Sequence, residues 1–207
     1  MYLSVNGECE TQKIIEKSRF ITVSKHVDGE EEAKKFIADI KRRFPDATHN
    51  CYAYVADSLG NFPRFSDDGE PSGTAGMPIL EVIKNKKLYE TAVVVTRYFG
   101  GIKLGAGGLV RAYSGCAAEN LDAAEKALFE QCCESEYAVD YSCVDAVMRY
   151  CAESSATVIN TEYGDTVTFL IAVKQSEEAK FNLGLTDRLN GKVAIIKRKE
   201  YFFPFKI

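Results

Sequence analysis

The sequence predicts an α+β chain made of two α/β sandwiches. Three observations carry that expectation. Runs rich in β-branched residues, such as TAVVVTRYF (91–99), stand among segments whose apolar residues recur at helical spacing. The pattern changes near Glu134 without a long linker, which suggests two domains in contact, 1–133 and 134–207. Beyond that point the elements follow the order β-α-β-β-α-β, the split or ferredoxin-like unit.

KIIEKSRFITVSKHV (13–27) reads as one or two strands around a polar turn near Lys17 and Ser18. Asp28 is expected to start a helix, with Glu31 placed three residues on as in a capping box. Ala33, Phe36, Ile37 and Ile40 form its apolar face, and Pro45 ends it. HNCYAYVAD (49–57) reads as a strand. The following SLGNFPRFSDDGEPSG is rich in turn formers and acids and reads as a loop. Thr74 to Lys84 reads as a short helix with Pro78 tolerated in its first turn.

Thr91 to Phe99 lacks polar alternation at its start, as a strand buried on both faces would. A glycine loop comes next. A long helix is then expected from about Leu109 to Glu130, with Leu109, Ala112, Tyr113 and Cys116 on one face.

In the second domain, strands are expected over 135–142, 157–163, 166–174 and 192–203. Helices are expected from Cys143 to Ser154, with Val144, Val147, Met148 and Cys151 inward, and from Ser176 to the Asn190-Gly191 stop signal.

The composition is that of an ordinary globular protein, 46% hydrophobic and 27% charged, with a formal net charge of −4. Overall charge therefore gives no reason to expect nucleic acid, and an anion site must be a local patch. The seven cysteines show no CxxC or Cys/His spacing, and the start has no secretory pattern. Free thiols in a reducing cytoplasm, packed as small apolar groups, are the expectation. No membrane partner, metal or cofactor is expected.

The stretch YFGGIKLGAGG (98–108) has five glycines in eleven residues. No Asp or Glu stands anywhere from Thr91 to Ala118, in a chain with 30 acids among 207 residues, yet Arg97, Lys103 and Arg111 do. Gly100, Gly101, Gly105, Gly107 and Gly108 would let successive backbone N–H groups face one concave spot. The start of the following helix would add unpaired N–H groups and the positive end of its dipole. Strand, glycine loop, helix start and flanking cations together form an anion cradle. The stretch is neither a Walker loop nor a GxGxxG fingerprint. The bland alternative is tight backbone packing with cations that merely face water.

FSDDGEPSGTAG (65–76) places Asp67, Asp68 and Glu70 within four residues. No second ligand group accompanies them, so a pairing role is preferred to a metal site. Asp67, Asp68 and Glu70 are expected to meet Arg97 or Arg111 and hold the cationic loop, with Gly69, Gly73 and Thr74 in the same motif. His49 and Cys51 share a strand face, but a packed pair is preferred to a nucleophile and base. Lys192, Lys197, Arg198 and Lys199, with Tyr201, Phe202 and Phe203, suit either single-stranded nucleic acid or an edge strand protected by lysine.

FSDDGEPSGTAGMPIL (65–80) and VVVTRYFGGIKLGAGGLVRAY (93–113) closely resemble the two signature stretches of the IMPACT family in its bacterial, YigZ-like form, and HNCYAYVAD is similar to an earlier strand of that family. The resemblance covers roughly 10–130. It implies a first domain like domain 2 of a small-subunit ribosomal protein, a second resembling a late domain of elongation factor G, and a link to translation. The extra partner-binding domain of eukaryotic members is not expected before Lys13. The motif positions carried over are Asp67, Asp68, Gly69, Glu70, Pro71, Gly73, Thr74, Gly76, Arg97, Tyr98, Gly100, Gly101, Lys103, Gly105, Gly107, Gly108 and Arg111.

The expectation is thus a cytoplasmic, translation-associated regulatory protein that binds RNA or the ribosome, with no DNA specificity. No nucleophile-base set is visible, so binding is favoured over catalysis. The competing readings are an enzyme or sensor for a small phosphorylated metabolite and a docking module for a protein partner.

Overall fold

A computed structural model describes residues 1–206, and for Lys197 and Lys206 the backbone only. The chain divides into two compact units, Tyr2–Leu128 and Phe129–Phe205. The first contains β1 (Tyr2–Val5), β2 (Glu8–Ile15), β3 (Ser18–His26), α1 (Gly29–Arg43), β4 (His49–Val55), β5 (Pro63–Ser66), α2 (Gly76–Asn85), β6 (Thr91–Tyr98) and α3 (Gly105–Ala123).

Its main sheet runs β2-β3-β6-β4-β5, with every neighbour antiparallel. β6 lies at the centre. One of its faces carries Val93 and Val95 into a core with Ile79, Ile83, Tyr113 and Leu121 of α2 and α3. The other carries Ala92 and Val94 against Phe36, Ile37 and Ile40 of α1. Hence the unbroken apolar run: neither face of this strand meets water, so alternation would serve nothing. Each fully buried valine or isoleucine here contributes about 1.5–3 kcal/mol. Asn120 fastens α3 to the sheet, its Nδ2 donating to Cys9 O at 3.1 Å and Thr22 O at 3.0 Å.

Several boundaries differ from expectation. The start of α1 is not a capping box through Glu31; the backbone N–H of Asp28 donates to Glu32 at 2.8 Å. β5 lies inside the stretch read as a loop, where Pro63 is accommodated as the first residue of an edge strand. The third helix begins at Gly105 and ends at Ala123, four residues earlier and seven residues earlier than expected. Ala124 is extended, and from Lys126 the burial alternates with period two, as a strand requires.

That strand is β7 (Lys126–Val139), so the residues expected to hold the boundary, 133–135, lie in mid-strand. The second unit continues with a 3-10 turn (Tyr141–Cys143), α4 (Val144–Glu153), β8 (Thr157–Tyr163), β9 (Val167–Lys174), a second 3-10 turn (Gln175–Glu177), α5 (Glu178–Arg188) and β10 (Ala194–Lys206). In it β7, β9 and β8 lie side by side in that order, and β10 also pairs with β7. Tyr137, Phe169 and Ile171 pack with Val147, Cys151, Phe181 and Leu185 of the two helices. Met148, expected inward, is 46% exposed. Asn190 and Gly191 both take positive φ and close α5, as the sequence suggests. Among the described residues no helix is long and apolar enough to cross a membrane.

Candidate anion-binding site

β6 delivers the chain to Phe99, and the loop Phe99–Leu104 leads into α3. Gly100 is required by packing. A Cβ there would stand 2.0 Å from the carbonyl carbon and oxygen of Lys17, so the loop lies directly against the tip of the β2–β3 hairpin. Its N–H donates to Ser18 Oγ at 3.2 Å. The tip is a two-residue turn, Glu16-Lys17, with φ of 45° and 62°. Gly101 and Gly105 meet a different demand, positive φ, at 85° and 69°.

Gly105, Gly107 and Gly108 are not loop residues, as expected from sequence, but the first turn of α3. The first four N–H groups of a helix have no intrahelical acceptor. The N-cap here is Leu104, whose side chain cannot accept a hydrogen bond, and the first turn has no acid. Donors and dipole are therefore left uncompensated. Arg111, one turn on, reaches back until Nη1 lies 3.6 Å from where a Cβ on Gly107 would be. Arg111 and Lys103 are exposed. Both line a cavity of about 460 Å³ together with Ile15, Glu16, Ile102 and Leu104. Phe99, 47% exposed, opens this loop, and the Arg97 guanidinium lies 5.4 Å from its ring centroid.

Arg97 does not belong to this surface, and this corrects the expectation. It shares the strand face of Val93 and Val95, which points into the core. It is 4% exposed. Its Nη1 donates to Glu70 Oε1 at 2.6 Å and its Nη2 to Ser18 Oγ at 3.2 Å. Tyr113 of α3 donates to the same Glu70 oxygen at 2.8 Å. The buried pair is a strut linking the acidic loop, β6, α3 and the hairpin tip.

Of the three acids expected to pair with Arg97 or Arg111, Glu70 does so, while Asp67 and Asp68 take other partners. Asp67 accepts the backbone N–H groups of Gly73 (2.8 Å), Ala75 (3.0 Å) and Gly76 (2.8 Å), and so caps α2 from a distance. Desolvation raises its affinity for a proton, but the three N–H donors prevail and hold the carboxyl below its ordinary range. Asp68 takes Lys41 at 2.6 Å and the N–H of Asn50 at 2.7 Å. Gly69 and Gly73 have positive φ, and Thr74 Oγ1 donates to Pro71 O at 2.6 Å. The three carboxylates thus serve three separate partners.

Cys51 is fully buried and its thiol donates to Asp67 O at 3.0 Å. Burial pushes it up to about 12, which keeps it protonated and unsuited to nucleophilic attack. His49 Nδ1 sits 2.9 Å from Asp68 O. In the second unit Arg198 is held by Glu178 and Glu200, each at 2.8 Å, and Lys199 lies 4.5 Å from the Tyr201 ring centroid. β10 is an edge strand beside β7, and Arg198 is already neutralised there. The side chain of Lys197 lies outside the described residues.

The sequence reading missed Glu16, Ile102 and Leu104 as parts of the cavity wall. Glu16 sits far along the chain from Lys103. Only the β3–β6 register, Arg19 opposite Tyr98, brings the hairpin tip to the glycine loop.

Comparison with known proteins places this geometry in a family. The Impact N-terminal domain matches residues 16–121, a span holding the strut and the cavity's lining apart from Ile15. A domain of unknown function (DUF1949) matches 138–192. The IMPACT family member YvyE of Bacillus subtilis (strain 168) is 42% identical over 194 residues, covering 92% of this chain and 88% of that protein. The IMPACT family member YigZ of Escherichia coli (strain K12) is 35% identical over 188 residues, covering 90% and 92%. A solved structure described as a hypothetical protein is 33% identical with a TM-score of 0.59, over 94% of this chain and 96% of that one. Since relatives align along nine-tenths of its length and the domain match spans the glycine loop and the acidic loop together, the chain belongs to the IMPACT family.

Proposed function

We propose that this is a cytoplasmic, translation-associated regulatory protein that binds RNA or the ribosome through Lys103, Arg111 and the open start of α3. The observation that carries the reading is the convergence of these cations on one cavity at a helix start. Among the described residues Lys103 and Arg111 form no ion pair, and both line the cavity beside backbone donors that no N-cap side chain satisfies. Phosphate is the anion that such a combination suits. Arg97 acts in this reading as internal support.

The test is RNA binding by fluorescence anisotropy over a range of salt. Binding should weaken with salt, because phosphate contacts release counterions. Lys103→Ala with Arg111→Ala should lower affinity and flatten the log–log salt slope by roughly 1.4, two single-strand contacts at about 0.7 each. Equal affinity and slope in the double variant would reject the site.

One observation favours a second reading, a sensor or enzyme for a small phosphorylated metabolite. The cavity, at about 460 Å³, falls in the range of small-ligand pockets. Competition by a mononucleotide separates the two. We also read the second unit as ferredoxin-like, akin to a late elongation-factor G domain; the β-α-β-β-α-β element order, with β7 paired to β9 and to β10 and β9 to β8, supports this. The flanking of the first unit's sheet by α1 on one face and α2 and α3 on the other supports the ribosomal-protein-like reading.

A further inference from the structure

Resting on the phosphate reading above, we infer that the cavity takes one ribose-phosphate unit and that Glu16 recognises its 2′-hydroxyl. The ligand is then RNA or a free ribonucleotide, in preference to the deoxy equivalent.

The inference starts from the signs of charge around one cavity. Glu16 lines it together with Lys103 and Arg111, and no ion pair joins the carboxylate to either cation among the described residues. A cavity shaped only for phosphate gains nothing from a carboxylate, which repels it. A cavity shaped for phosphate beside a hydroxyl does. An ionised carboxylate only accepts hydrogen bonds, and the 2′-hydroxyl can donate one. Acidic side chains hold ribose hydroxyls in dinucleotide sites for the same chemical reason. The rest of the lining fits a sugar and base. Ile15, Ile102 and Leu104 supply apolar surface, and about 460 Å³ accommodates a ligand of nucleotide size.

The position of Glu16 also makes a clean test possible. It is the first residue of a two-residue hairpin turn and has φ of 45°, where asparagine is favoured over glutamate. Glu16→Asn should therefore fold at least as well as wild type while withdrawing the carboxylate by one methylene and neutralising it. A thermal melt checks this.

The measurement is anisotropy with the full chain and labelled oligo-uridine and oligo-deoxyuridine of equal length, with uridine and deoxyuridine monophosphates as competitors. Wild type should bind the ribo-oligomer about tenfold or more tightly than the deoxy-oligomer, the effect expected of one hydrogen bond to a charged group. Glu16→Asn should bind the two alike. If uridine monophosphate competes as well as the oligomer, the source is a free ribonucleotide; if only the oligomer competes, it is RNA. Either result supports the assignment. Equal binding of the two oligomers by wild type, or an undiminished preference in Glu16→Asn, overturns the assignment and leaves the phosphate reading standing. Absence of binding to both by wild type overturns the two together.

Discussion

Replacing Glu70 by alanine should cost far more stability than loss of a surface acid. The side chains of Glu70 and Arg97 are 4% and 5% exposed, so the pair is screened little by water. Arg97 would keep one hydrogen bond, to Ser18 Oγ at 3.2 Å, and its Nε already has no partner. Tyr113 would lose the acceptor for its buried hydroxyl. Removing one member of a buried ion pair costs about 3–5 kcal/mol. An orphaned buried hydroxyl costs about 1–3 kcal/mol, part of which is the same loss counted again. We expect a total near 4 kcal/mol, a large share of the roughly 5–15 kcal/mol available to a typical domain. In urea melts followed by circular dichroism, the midpoint should fall with little change in slope, and Tm should drop on the order of 10–20 °C. The partner experiment replaces both groups, Glu70→Leu with Arg97→Met. It should recover much of the loss, since no charge is then stranded. A single-variant loss below about 1 kcal/mol would refute the reasoning, because only a water-screened pair behaves that way.

Asp67→Asn should lose about 1–2 kcal/mol at pH 7, the value of a helix cap. The folded carboxyl sits below its ordinary value, so its contribution is complete above about pH 4 and is lost as pH falls through the lower folded value. The gap from wild type in urea midpoints should therefore close toward pH 2.5, and a gap constant with pH would count against the cap. The glycines of the loop should also separate by role in thermal melts. Gly100→Ala should destabilise by about 1–3 kcal/mol, because its Cβ would overlap the backbone of Lys17. Gly107→Ala should be neutral or stabilise by about 0.5 kcal/mol, since it lies in a helix and its Cβ meets only Arg111 Nη1 at 3.6 Å. Equal losses at both positions would mean that the loop is not packed as described.

Much of the first unit was legible from periodicity because burial acts on each residue in turn. Ala33, Phe36, Ile37 and Ile40 are all buried on α1, and Leu109, Ala112, Tyr113 and Cys116 on α3, as their spacing required. What escaped was set by contacts distant in sequence. β5 has no buried residue and starts with proline, so nothing local marks it as a strand; it exists by pairing with β4. The first turn of α3 contains three glycines, whose poor helix propensity reads as a loop. Packing of the buried face further along supplies the stability that this turn lacks by itself.

Arg97 shows how a local signal can be present and still point the wrong way. Its lack of neighbouring acids in sequence suggested a cation free for a ligand. Yet it follows Val93 and Val95 at steps of two in a strand whose two faces are both covered. A cation on a covered face of such a strand is shut off from water, even near the strand's end, and must find a carboxylate inside the fold. The nearest candidates in sequence are far away, in FSDDGEPSG, and the choice among Asp67, Asp68 and Glu70 depends on how that loop turns. Positive φ at Asp68 and Gly69 reverses the chain between them. Asp67 is left facing the start of α2 and Glu70 facing β6. Two loops that look from sequence like opposite halves of one charged surface are joined through a single buried pair. The surface that remains for a ligand is smaller, composed of Lys103, Arg111 and the donors of α3, and it is bounded by an acid, Glu16, that no local pattern marks for that place.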